Sequence, residues 1–169
     1  MPDRIFEAFL ERQVKEGAAL AQGSDVLELM TIDPQHHVAI FTCQGLVQSP
    51  GGGVETAAHF EAGIYFAPDH LRRLEPVNVI TWFGPMNVWH PNIRPPHVCV
   101  GNMAPGVGLV ELVYQLHEII TWRRFTAHHS LNWDAANWAN RNRDRFPVDR
   151  RPLRRRELAL TFRAPEARI

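Results

Sequence analysis

The chain has one lysine, Lys15, among 18 basic residues, only two cysteines and two tyrosines, and no net charge over its 169 residues. Each scarcity excludes something. Two thiols, Cys43 and Cys99, cannot build a disulfide framework, so the fold must rest on an apolar core. At this length about two thirds of the unfolded chain's surface can be buried on folding, and no metal or crosslink is needed as a staple. No run approaches the ~18 consecutive apolar residues of a membrane span, and Asp3, Arg4, Glu7 and Glu11 place charge where a secretory signal needs an apolar stretch. These features predict a cytoplasmic protein with no membrane partner. One lysine among 18 basic residues is what a GC-rich gene, which spells basic residues as arginine, would give.

Zero net charge conceals an asymmetry. Residues 141–169 carry 10 arginines against 4 acids, so a basic C-terminal segment follows an acidic body. Arg150, Arg151, Arg154, Arg155 and Arg156 stand close together in it, as in phosphate-binding clusters, but such a run is more often a solvated face or a contact for an acidic partner. No nucleic-acid partner is expected.

Periodicity orders the rest. Ile5, Phe6, Phe9, Leu10 and Val14 share one face of a helix over residues 3–20, with Asp3 as N-cap. Four β-rich runs follow at residues 26–32, 37–46, 60–66 and 77–83, separated by Asp33-Pro34, Pro50-Gly51-Gly52-Gly53 and Pro68-Asp69, which predicts an antiparallel meander. The triple glycine lacks the Lys-Ser/Thr of a phosphate-binding loop and reads as a hairpin connection. Between Gly84 and Gly108 the periodicity disappears, although Trp89, Ile93, Val98 and Val100 mark a packed loop; a long irregular stretch of this kind is where function is expected. Helical spacing returns over residues 109–125, and a last helix is predicted over 132–145 with Asn132 as N-cap. The predicted fold class is α+β.

Cys99 is the residue to single out. It lies in the irregular loop before a helix, with His97 two positions and His90 nine positions upstream, and a thiol becomes a nucleophile as its thiolate, which neighbouring imidazoles or amides favour. A lone cysteine is as readily a small buried apolar residue, the reading given to Cys43 between Phe41 and Leu46. His90, His97 and Cys99, with His128 or His129, also offer a set of metal ligands, yet none has CxxC, HxxxH or HExxH spacing, and no metal or other cofactor is predicted.

His90-Pro91-Asn92, followed by Cys99 and then a helix, resembles the signature of ubiquitin-conjugating enzymes. The likeness extends to Phe66-Ala67-Pro68-Asp69-His70, to Leu74-Glu75-Pro76-Val77, and to Leu131-Asn132-Trp133-Asp134-Ala135-Ala136 at the opening of the last helix, over about residues 3–146 in all. The resemblance implies a UBC-like fold: an N-terminal helix, a four-stranded antiparallel meander, an active-site loop and two C-terminal helices. It implies a conjugating domain over residues 1–146 and a basic Arg-rich segment over 147–169. It also implies a transferase in which Cys99 carries the C-terminus of a ubiquitin-like modifier as a thioester and passes it to an amine of a target protein. Asn92 then stabilises the oxyanion or holds the loop, and His90 ties the turn together. The family's acidic gate falls on Ala127-His128-His129-Ser130, where His129 replaces the acid as a base near pH 7, with His128 as the alternative. The partners implied are the modifier, an activating enzyme docking on the first helix and the target, in a divergent bacterial member from an operon of anti-phage defence. An enzyme presenting a reactive thioester also gains from having few amines of its own. Two other readings stand beside this one: a UBC-like binding module without catalysis, and a thiol hydrolase or metal-dependent enzyme using His90, His97 and Cys99.

Overall fold

The computed structural model describes residues 3–126 and 130–155. Helix α1 spans Arg4–Gln22, and the Asp3 carboxylate caps it by accepting from the amides of Ile5 and Phe6. Strands β1 (Leu27–Asp33) and β2 (His36–Phe41) form a hairpin; β3 (Gly45–Gln48) and β4 (Val54–Ala57) form a second. Strand β5 (Phe60–Tyr65), one helical turn α2 (Pro76–Val79) and strand β6 (Ile80–Gly84) follow. Two short strands, β7 (Ile93–Arg94) and β8 (His97–Val98), precede helices α3 (Leu109–Ile120) and α4 (Trp133–Arg141). The fold is α+β, as the patterning predicts. Among the described residues no helix is long and apolar enough to cross a membrane.

The predicted meander exists as β1-β2-β5-β6, but the main sheet is wider than four strands. Its order is β1-β2-β5-β6-β8-β7, because the loop read as irregular contains the β7-β8 hairpin. This hairpin hangs on the edge of β6 through the Thr81–His97 pairing and the bond from the Trp82 amide to the Pro96 carbonyl, 2.8 Å. A second correction concerns the run 37–46. It breaks at Thr42 to Gln44, and its second half joins β4 in a separate two-stranded sheet. The break is held from outside: the Gln44 amide donates to the Asp149 carboxylate at 2.8 Å, a bond that replaces a ladder partner. The run 77–83 likewise starts as a helical turn, with Pro76 at its first position.

One face of the sheet packs against α1 and α3. Phe9, Leu10 and Leu20 of α1 meet Leu109, Leu112, Val113 and Leu116 of α3 over Phe41, Ala62, Ile64 and Trp82. Gln13 of α1 is buried in this layer and accepts from the Leu109 amide at 2.7 Å, supplying the acceptor that α3's uncapped start would otherwise lack.

Helix α3 stops five residues short of the predicted end. Trp122 takes a left-handed conformation, φ 61°, which closes the helix and turns its indole into a second core with Leu46, Trp89, Ala135 and Ala139. There it stacks on Phe146, with centroids 4.5 Å apart and planes 12° apart, and meets Trp138 edge-on. Left-handed backbone costs a non-glycine residue about 1–2 kcal/mol, which burial of a Trp side chain more than offsets.

Residues 147–155 run back across the body as a strap. Leu153 is buried in the main core, and Val148 packs on the second. Asp149 is almost wholly buried and accepts from the Arg151 amide and guanidinium as well as from Gln44. At the far end the Arg155 amide and guanidinium donate to the carbonyls of Gly23 and Gln22 at the end of α1. The arginine-rich run thus serves, over these residues, as a set of main-chain clamps.

Candidate active site

The site is built on the segment that leads out of the sheet and back into the hairpin. Residues 87–89 are tied to β3 by bonds from Gln48 N to Asn87 O and from Trp89 N to Leu46 O, both 2.8 Å. His90, Pro91 and Asn92 follow, then the β7-β8 hairpin, and Cys99 is the first residue after β8. Because the hairpin is anchored to β6, the position of Cys99 is inherited from the sheet.

Asn92 and Cys99 are joined at both ends. The Cys99 amide donates to the Asn92 carbonyl at 2.8 Å, and Asn92 Nδ2 donates to the Cys99 carbonyl at 3.0 Å. The same Nδ2 donates to Thr126 Oγ1 at 2.8 Å, and the Thr126 amide donates to Asn92 Oδ1 at 3.0 Å. Both hydrogens of the carboxamide are therefore engaged, and the side chain is buried. Of the two roles weighed for Asn92, the geometry supports holding the loop; a donor for an oxyanion would first have to leave one of these partners. Replacing Asn92 with Ala removes three part-buried hydrogen bonds to the Thr126 amide and hydroxyl and the Cys99 carbonyl, and a loss of about 1–3 kcal/mol is expected. Urea unfolding of Asn92→Ala beside the parent protein measures it.

His90 is 1% exposed. Its Nδ1 accepts from the Asn92 amide at 3.0 Å, which assigns the proton of the neutral ring to Nε2, and Nε2 finds no well-formed hydrogen bond. Burial pushes the imidazole down to about 3, against a smaller upward pull from the Arg124 main chain. The ring lies 4.5 Å from the Trp122 indole. His90 is thus a permanently neutral strut, and neither nitrogen is open to take a proton from Cys99. Pro91 contributes its carbonyl, which accepts from the amides of Leu131 and Asn132 and from the Ser130 hydroxyl, fixing the entry to α4 against the turn.

Cys99 is half-buried, in contrast with Cys43, which is fully enclosed and whose thiol burial pushes up to about 12. Beside Cys99 opens a largely apolar groove of about 400 Å³ lined by Pro76, Val77, His97, Val100, Met103 and Leu131. His97 shares the groove and is exposed; His90 does not line it. Among the described residues no three His, Cys, Asp or Glu side chains converge as a metal would require. His128 and His129, the candidates for the gate, lie outside the described residues. The segments flanking them are fixed, Thr126 to Asn92 and residues 130–132 to Pro91.

Thr126 and Arg124 are the site residues that sequence reasoning passes over, and Ser130, named there only as the end of the gate, is a main-chain clamp on Pro91. Ser130 had a local signal, since a hydroxyl just before an Asn N-cap commonly bonds nearby main chain; Thr126 and Arg124 had none, because both act across the fold.

No family model matches the chain, and no curated protein matches it. Among solved structures, it is similar to the E2 domain of a Toxoplasma gondii ubiquitin conjugating enzyme, at 18% identity and a TM-score of 0.49, over 82% of this chain and 91% of that one.

Proposed function

We propose that this protein is a conjugating enzyme for a ubiquitin-like modifier, with Cys99 as the residue that carries the modifier's C-terminal acyl group. The observation that carries the reading is the double tie between Cys99 and Asn92, which holds a reachable thiol in a fixed loop at the mouth of an apolar groove. In the reaction the Cys99 thiolate attacks the modifier's thioester on an activating enzyme, whose own thiolate leaves. An amine of the target then attacks the new thioester, forming an amide and releasing the Cys99 thiol. His129 fills the role of base toward that amine, with His128 as the alternative, and α1, which leaves Ile5 73% exposed, offers the surface for the activating enzyme. The family resemblance further suggests a bacterial conjugation operon with a defensive role. The hydrolase reading is disfavoured by His90, which has no nitrogen free to serve Cys99 as base.

The test is reconstitution. With a candidate modifier, its activating enzyme and ATP, a slower-migrating band should form, collapse on adding thiol, and be absent from Cys99→Ala while persisting in Cys43→Ala. Non-covalent retention of the modifier without any adduct would instead identify a binding module.

A further inference from the structure

Asn92 is occupied, so the oxyanion of acyl transfer at Cys99 needs another donor, and the loop after Cys99 contains one. The guanidinium of Arg124 donates through Nη2 to the carbonyl of Val100, the residue next to the nucleophile. Gly101 makes room for it: a Cβ at that position would lie 2.6 Å from Arg124 Nη2, and the residue sits at φ +92°, where side chains are disfavoured. The peptide joining Val100 to Gly101 is planar, so its N–H points away from the carbonyl that Arg124 grips. Among the described residues this N–H has no acceptor, and Gly101 lines the groove together with Cys99. Glu118 stands 3.9 Å from Arg124 Nη1 only as a weak, exposed ion pair, so the grip on the loop is the Val100 bond itself.

Resting on the reading of Cys99 as an acyl carrier, we infer that Arg124 is a positioning residue: it sets the plane of the Val100–Gly101 peptide so that the Gly101 N–H receives the oxyanion formed at Cys99. In that step the Cys99 sulfur bonds to the thioester carbonyl carbon, the carbonyl oxygen takes the negative charge, and collapse expels the leaving thiolate while the Cys99 proton passes to solvent base. A pre-aimed amide is most effective at this moment, and loss of one such donor commonly slows acyl transfer about a hundredfold or more.

The test separates acyl transfer from thiol reactivity. Acylation of Cys99 by a diglycyl peptide thioester of mercaptoethanesulfonate needs an oxyanion donor; alkylation by iodoacetamide does not. In Arg124→Ala, acylation is expected to slow at least tenfold while alkylation, followed from pH 6 to 10, changes less than twofold in rate and keeps its pH profile. Arg124→Lys, which retains a donor, should recover part of the acylation rate. Equal acylation of Arg124→Ala and the parent protein would overturn the inference, as would a parallel fall in both reactions, which marks a general loosening. Failure of the parent to accept the peptide acyl group would overturn it too. Peptide acylation that depends on Arg124, in a protein that no modifier and activating enzyme can charge, would retain the inference and remove the conjugating function.

Discussion

A chain ending at Phe146 is expected to be about 4–6 kcal/mol less stable than one ending at Arg155. The first cut removes Leu153 from the main core, worth about 2–3 kcal/mol. It also removes the Asp149 carboxylate that accepts from the Gln44 amide where β2 gives way to β3, and a hydrogen bond to a charged group is worth about 1.5–3 kcal/mol. The Arg123 guanidinium loses its two carbonyl acceptors, on Asp149 and Arg151, and the end of α1 loses Arg155. Since a domain of this size has about 5–15 kcal/mol in all, the shorter chain should be partly unfolded at 37 °C. The cut after Arg155 keeps every strap contact described above. Urea midpoints of the two truncations measure the difference, and equal midpoints would show that the strap adds nothing. Only the second truncation is suitable for asking whether the basic C-terminus takes part in charging.

Acid should destabilise the protein well above the pH at which its carboxylates titrate. Burial pushes His90 down to about 3 and His117 down to about 4, the latter with further lowering from Arg123 and Arg151 against a raising Asp149. Both rings are thus neutral when folded and titrate near 6.5 when unfolded. The unfolded chain therefore binds more protons as pH falls below 6.5, and stability is lost from there downward until the folded values are reached. By pH 5 each histidine costs about 2 kcal/mol, from 1.36 kcal/mol per pH unit. His37, lowered chiefly by burial, adds in the same direction. Asp149 acts at lower pH. Burial pushes its carboxyl up, but the hydrogen bonds from Arg151 and from the Gln44 amide outweigh this and bring it down to about 2. Its stabilisation is complete above about 4 and lost as pH falls toward 2. Urea titrations at pH 7, 6 and 5 and constant ionic strength should show a drop of at least about 4 kcal/mol, reduced by about half in His117→Leu. A flat profile down to pH 5 would contradict the burial of these two rings.

Where local signals act alone, the sequence is a sound guide to this fold. Asp3 and Asn132 cap the helices expected of them, Leu109 opens α3 as its periodicity requires, and Cys43 is core. Prediction goes astray where a partner distant in sequence decides. The continuous β pattern of 37–46 breaks because Asp149, 105 residues from Gln44, draws the Gln44 amide away. The apolar spacing of 109–125 ends early where Trp122 turns left-handed and buries its indole in the second core, among residues from β3, the segment before His90 and α4. The β7-β8 hairpin is hidden in a stretch rich in proline, as two-residue strands carry no alternation to detect.

The candidate site divides the same way. Cys99 and the His90-Pro91-Asn92 turn are visible as motifs, but their roles come from bonding. Asn92 spends its carboxamide on Cys99 and Thr126, and His90 is closed to proton transfer. Arg124 carries no motif at all, and its part follows from one hydrogen bond to Val100 and the space left by Gly101.

The most direct measurement is the intact mass and peptide map of the protein after incubation with a ubiquitin-like modifier, its activating enzyme and ATP. The account predicts one adduct per chain, heavier by the modifier less one water, mapped to Cys99 and released by hydroxylamine. An adduct on Cys43, or full charging of Cys99→Ala, would contradict it.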